Sequence, residues 1–424
     1  MTGRYYGRSL LVMFGRSANT ERTGRLHSGA MAGASRRVRQ GGTLTLVFGV
    51  VLMGGAAAGA WGGGAGALPR RAASADVAAA GGYSSQQAER LVASGEDRWA
   101  AYYSAEDYAR FAQGLDGRYL GVGLSVDRDE DGETVVSGVQ SAGPAAGAGI
   151  AVGDRLLSVD GASVDRLPVT EVVARLRGRA DELSAGARPA GPGSSVLLAL
   201  RSPRGGARAV TLRRTVLDTQ DVTVDRPASG VLRIAVAAFT SGVGAEIRAA
   251  VQRAPAAAKR TGIVLDLRGN SGGLVEEAVA AASVFLDGGP VASYQSGGER
   301  RDLTAGPGGD TGTPLVVLVD GGTMSAAELL AGALQDRCRA VLVGSRTFGK
   351  GTVQQPSRLA DGSVLELTVG RYYTPAGRSP DGVGLAPDVP AADPADAGPL
   401  ALRVLAGLGG ARKPAADHPS EMRE

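Results

Sequence analysis

The segment RTFGKGTVQQ, residues 346–355, contains Lys350, one of three lysines in a chain whose other 43 basic residues are arginines. Arginine keeps its proton in a protein, whereas a buried lysine can lose one and act as a general base. A lysine between two glycines can equally cap a loop or pair with an acid, and the segment alone does not decide. Ser325, in DGGTMSAAELLAG, offers a matching nucleophile. An apolar strand ends at Asp320, glycines make a tight turn and a helix begins. Such a strand–turn–helix exposes a hydroxyl and presents the next amide to an oxyanion, although the sequence is not G-x-S-x-G. Ser325 with Glu328 also spells S-x-x-E, a helix capping box, and locally capping is the simpler account.

The two histidines narrow the chemistry. His27 precedes an apolar segment and His418 lies in the tail, so neither fits the active site of an exported core. A serine–histidine pair and a histidine-ligated zinc or iron centre are therefore excluded. No clustered acidic loop suggests a carboxylate metal site, and no cofactor is expected. Acyl transfer, if it occurs here, needs a lysine or a carboxylate as its base. The single cysteine, Cys338, rules out an intramolecular disulfide.

At 424 residues, 43% of them hydrophobic, the chain is long enough for two or three domains. Residues 1–40 carry eight arginines and one acid, which accounts for the positive net charge of +4; the remainder is slightly acidic. The folded part thus has no basic footprint for nucleic acid. Residues 41–62 are uncharged, and Leu44 to Trp61 approaches the length of a bilayer span. With arginines ahead of it, this segment predicts an anchor in the cytoplasmic membrane, N-terminus inside and the rest exported. A signal peptide cleaved after AAAGA, with translation starting at Met31, is the competing reading and would give a secreted protein.

Residues 63–83 read as a flexible linker, and 84–117 as a helical collar broken near YYSAED, where a serine can cap the second helix. From 118 to 215 short strands, one helix and turns at DEDG, VGD and VDG resemble a PDZ domain. The resemblance rests on YLGVGL, residues 119–124, and AGIAVGDRLLSVDGASV, residues 148–164. It implies that the backbone of Leu120, Gly121, Val122 and Gly123 receives a peptide C-terminus by strand addition. An ordinary strand with a glycine bulge is the plainer reading of GVG alone. The loop 179–192 is an addition that such domains usually lack.

Residues 216–390 alternate apolar strands with helices, predicting an α/β core with a largely parallel sheet, closed by the hairpin-like SVLELTVGRYYTPAGRSP. After about 390 comes a tail with one short apolar helix. DLRGNSGG, TMSAAE and FGKGTVQ follow the PDZ-like region in that order, with Lys350 25 residues after Ser325 and Gln354 four further on. Together they resemble the carboxy-terminal processing, or tail-specific, proteases, whose order is PDZ, DLRxNxGG, TxSxxE, xGKGxVQ. The resemblance implies an α/β protease core with an inserted PDZ domain and a serine endopeptidase that cuts exported proteins near their free C-termini. It makes Ser325 the nucleophile, Lys350 the base and Gln354 the group orienting the lysine. The oxyanion would meet the amides of Ala326 and of a glycine in NSGG, Gly272 or else Gly273. The base must be neutral near pH 7, a fall of roughly three units from the free amine, which burial without a paired acid would supply. The alternative is an inactive membrane-tethered PDZ adaptor. A homo-oligomer or an adaptor partner is compatible with either.

Overall fold

The computed structural model describes residues 83–129, 131–165, 167–178, 190–203, 205–228, 230–253 and 261–410. The leader, the apolar segment 41–62, the linker and most of the added loop 179–192 lie outside the described residues. Among the described residues no helix is long and apolar enough to cross a membrane. Two compact units emerge, one formed by residues 120–217 and the other by 83–119 with 218–410.

The chain begins with helix α1 (Ser85–Ser94), capped by Ser84 and Gln87 in a capping box and ended by Gly95 in the left-handed region. Ser104 caps α2 (Ala105–Leu115) through the Asp107 amide, 3.1 Å away, as the sequence predicts. Between them the predicted break is a strand, β1 (Ala101–Tyr103), which pairs antiparallel with Val364–Tyr373 and sets Ala101 opposite Glu366. Two adjacent tyrosines favour an extended chain at a sheet edge over a plain helix break. Tyr103 then stacks on Phe111 at 5.3 Å, which fixes α2 against the strand.

The first unit runs from β2 (Arg118–Gly121) through β3 (Leu124–Arg128), β4 (Thr134–Val139), α3 (Pro144–Gly147), β5 (Arg155–Val159) and β6 (Ala162–Ser163). It continues with α4 (Val169–Arg177), β7 (Ser195–Arg201), β8 (Ala207–Arg213) and β9 (Thr215–Asp218). Its antiparallel sheet has the order β3-β4-β5-β7-β8, with β6 beside β5, so β3 is an edge strand. Leu156, Leu198 and Leu200 from the sheet pack with Val172 and Leu176 of α4. Arg214 is buried and donates to the carbonyls of Leu176 (2.8 Å) and Arg175 (3.1 Å), capping the carboxyl end of α4.

The second unit continues with β10 (Val222–Ala228), β11 (Val231–Val236), α5 (Val243–Arg253), β12 (Gly262–Asp266), α6 (Val275–Phe285), β13 (Pro290–Ser296) and β14 (Glu299–Thr304). Then come β15 (Leu315–Val319), α7 (Ala326–Asp336), β16 (Val341–Gly344), β17 (Thr352–Arg358), β18 (Val364–Tyr373), β19 (Val389–Pro390) and α8 (Ala397–Gly410). One sheet has the order β10-β11-β12-β15-β16-β19 and is parallel except where β10 meets β11. The fully buried runs GIVLD and LVVLV suit strands covered on both faces. Ile234, Leu265, Val317 and Leu342 face α5, α6 and α7. Val264, Val316, Leu318 and Val343 face Ala397, Ala401 and Leu405 of α8. The apolar helix expected within a tail is therefore a 14-residue element of the core. A second sheet, absent from the sequence reading, joins β1, β18, β13 and β14, with β17 also on β18. Apart from β1, which comes from the segment ahead of the first unit, its strands are excursions between the parallel strands.

Leu265, fully buried at the centre of the parallel sheet, tests this core. Leu265→Ala is expected to destabilise the second unit by about 2–5 kcal/mol, read as a lower urea midpoint.

Candidate active site

Three loops leave the carboxyl ends of three neighbouring parallel strands, where open α/β sheets gather ligands. Residues 267–274 follow β12, residues 320–325 follow β15 and residues 345–351 follow β16. They are tied together. The Thr323 hydroxyl donates to Leu267 O (2.9 Å), the Met324 amide to Asn270 O (2.8 Å), and the Phe348 amide to Thr323 O (3.0 Å). Asp320 Oδ1 accepts from the amides of Gly269 and Gly322, both at 2.9 Å.

Ser325 stands at the start of α7 with φ 57° and ψ −116°, an unusual conformation for a residue with a side chain. The residue is fully buried, and its hydroxyl has no hydrogen-bond partner. The capping box is therefore only half made. Glu328 reaches back to the Ser325 amide at 3.0 Å, but the serine oxygen caps nothing. Glu328, with no exposed surface, holds more than its own helix. Its Oε2 also accepts from the Lys350 amide (2.8 Å), and its Oε1 accepts from the Thr347 hydroxyl (2.6 Å) and the Gly349 amide (2.9 Å). Burial pushes this carboxyl up, and the four hydrogen bonds pull it back. The Tyr372 hydroxyl lies 2.9 Å from Ser325 O and 3.0 Å from Lys350 O. One carboxylate and one phenol thus set the backbone of both residues.

Lys350 is 4% exposed, and its Nζ lies 4.6 Å from the centroid of the Trp99 ring. Burial lowers its amine to about 8. The expected absence of an acid does not hold: Glu366 and Asp97 oppose the fall, and Arg98 adds to it. Glu366, 2% exposed on β18, accepts from the Tyr103 hydroxyl at 3.2 Å and is itself pushed up by burial. Gly349, at φ 94°, would place a Cβ 2.9 Å from Gly384 N, and a Cβ on Gly351 would lie 2.6 Å from Asp381 N. The flanking glycines are thus required by the close passage of residues 380–384. Gln354, 1% exposed on β17, donates through Nε2 to Thr352 Oγ1 (2.9 Å) and Thr368 Oγ1 (3.2 Å); its Oε1 is unpartnered.

Ala326 is the first residue of α7, next to the serine. Of the two glycines in NSGG, the amide of Gly272 is already engaged, donating to Asn270 Oδ1 at 2.8 Å in a tight side-chain turn. The Phe239–Gly273 bridge uses the amides of Phe239 and Leu274 and leaves that of Gly273 out. A Cβ on Gly273 would sit 2.3 Å from Phe239 O, so only glycine fits. In the other unit, Leu120, Gly121, Val122 and Gly123 lead into edge strand β3. The carbonyls of Val122 and Gly123 accept from the amides of Ala145 (3.0 Å) and Gln140 (2.9 Å). Glu328, Tyr372, Glu366 and Trp99 were not singled out from the sequence as site residues. Only Glu328 carried a signal there, the S-x-x-E spacing, and it pointed to capping.

Residues 230–391 match the model of peptidase family S41 and residues 113–184 that of the PDZ domain. The chain is 34% identical over 321 residues to the chloroplastic C-terminal processing peptidase of Tetradesmus obliquus, covering 71% of this chain and 66% of that protein. It is 30% identical over 304 residues to the carboxy-terminal processing protease CtpA of Bacillus subtilis, covering 71% and 62%. The chain thus spans somewhat under two thirds of these two relatives. It spans 69% of the carboxyl-terminal-processing protease of Synechocystis, at 30% identity over 307 residues. Among solved structures, the photosystem II D1 C-terminal processing protease is similar over 74% of this chain and 83% of that one, at 30% identity and a TM-score of 0.46. The identity to these three curated relatives, with the S41 and PDZ matches, shows that the chain belongs to the C-terminal processing serine proteases of peptidase family S41.

Proposed function

We propose that this protein is an endopeptidase that cuts polypeptides near their C-termini, with Ser325 as nucleophile and neutral Lys350 as general base. The observation that carries the reading is the shared clamp: Glu328 and Tyr372 each bind the backbone of both residues, while the Ser325 hydroxyl is left unpartnered. Ser325 Oγ attacks the scissile carbonyl carbon as its proton passes to Lys350 Nζ. The same proton then goes to the leaving amine, and water repeats the sequence on the acyl-enzyme. The amides of Ala326 and Gly273 face the oxyanion, Gly273 replacing Gly272 because the latter's amide is engaged. Gln354 Oε1, an acceptor without a partner, orients the lysine.

The substrate C-terminus adds as a strand to the open edge of β3, its carboxylate received by the backbone at Leu120, Gly121, Val122 and Gly123. The substrates are exported polypeptides, in keeping with the bacterial and chloroplastic relatives. The catalytic part works outside the cytoplasmic membrane, anchored by residues 41–62 or released from them.

Cleavage of an unfolded peptide with a free apolar C-terminus tests the reading. Ser325→Ala and Lys350→Ala should each abolish cleavage while the chain still folds. Equal cleavage by parent and Lys350→Ala would mean another base; no cleavage by the parent would favour a PDZ adaptor that binds without cutting.

The acid limb of kcat/KM should have its midpoint near pH 8, because the neutral amine is the active form and its fraction rises as pH passes the lowered value. At pH 7 about a tenth of the molecules would then hold it neutral. A profile flat between pH 7 and 9 would remove Lys350 from the role of base.

A further inference from the structure

Asp97 lies outside both matched regions, 113–184 and 230–391, in the segment between α1 and β1. Its carboxylate accepts from the Thr368 hydroxyl at 2.9 Å and the Thr368 amide at 2.7 Å, and also from the Trp99 amide at 3.0 Å. A carboxylate can only accept, so the hydroxyl proton of Thr368 is committed to Asp97. Thr368 Oγ1 is then left with lone pairs alone, and Gln354 Nε2 donates to it at 3.2 Å. The second Nε2 proton goes to Thr352 Oγ1 at 2.9 Å. Both amide protons are spent on this side, and Oε1 must face the other way, where it is buried without a partner.

We propose that Asp97 is a positioning residue that acts through Thr368 on Gln354, fixing which end of its amide serves as acceptor. This deepens the Ser325–Lys350–Gln354 reading and rests on it. The next two residues support it: Arg98 pairs with Asp381 at 2.9 Å, and the Trp99 ring lies beside Lys350 Nζ. A segment ahead of the PDZ domain thereby becomes part of the catalytic apparatus. In an Asp97→Asn variant an amide replaces one carboxylate oxygen. With the amide nitrogen in the place of Oδ1, the Thr368 hydroxyl loses its acceptor and is free to donate to Gln354, and the glutamine amide can turn over.

The test is a double-mutant cycle on the full chain, following cleavage of an unfolded peptide with a free apolar C-terminus. Asp97→Asn should lower kcat about tenfold with KM within about twofold, yet change kcat less than about twofold in a Gln354→Ala background. Thr368→Val, which removes the hydroxyl but keeps the Thr368 amide on Asp97, should behave alike and covers a failure of Asp97→Asn to fold. Equal factors with and without Gln354 would overturn the proposal, because that is how a residue that merely anchors the segment behaves. Parental kcat in both single variants would overturn it too. Parental kcat in Gln354→Ala alone would instead defeat the Ser325–Lys350–Gln354 reading beneath it, so the two failures are distinct.

Discussion

The buried carboxylate of Glu328 is the constraint on which the site depends. An ionised carboxyl taken out of water carries a desolvation cost of several kcal/mol unless its lone pairs are filled. Here four donors fill them: the amides of Ser325, Gly349 and Lys350, and the Thr347 hydroxyl. Three come from the loop 345–351, the nearest of them, Thr347, 19 residues downstream. Without Glu328 the turn after β15 and the loop after β16 would share fewer ties and would lose the common origin from which serine and lysine are placed. A charge that would destabilise an apolar core becomes the fixed point of two loops.

The parallel sheet brings those loops together, and it was the most legible part of the chain. GIVLD, LVVLV and VLVG are apolar runs followed by turn residues, and the first two lead on to the helices α6 and α7. Ser325, Lys350 and the NSGG turn were legible because each sits in a short motif with unusual composition. The second sheet was not legible. Its pairings join residues far apart in sequence, as when Ala101 faces Glu366, and no local pattern records such a partnership. The double duty of Glu328 was hidden for the same reason: its spacing from Ser325 is local, but its bonds to Thr347, Gly349 and Lys350 are not. Burial of Lys350 was expected. The nearby acids were not, because Glu366 arrives on β18 and Asp97 from the segment ahead of β1.

This division also describes how the site is assembled. The parallel sheet supplies the serine, the lysine loop and the NSGG turn, whereas Gln354 and Thr368 stand on the antiparallel sheet. The two layers meet at Tyr372, whose hydroxyl touches the backbone of Ser325 and Lys350 from a strand of the second layer. The lysine is desolvated where they meet, and its lowered pKa belongs to that junction rather than to either sheet.

Helix α8 lies across the face of the parallel sheet opposite α5, α6 and α7, with Ala397, Ala401 and Leu405 on Val264, Val316 and Leu318. Strand addition requires an extended backbone with free amides and carbonyls. Along α8 those groups are already paired within the helix, and its apolar side is buried. Under the strand addition proposed above, residues 397–410 of this chain could not serve as a substrate while α8 is intact. Within residues 397–410, exposure to such an activity would then be set by the stability of α8 on its sheet.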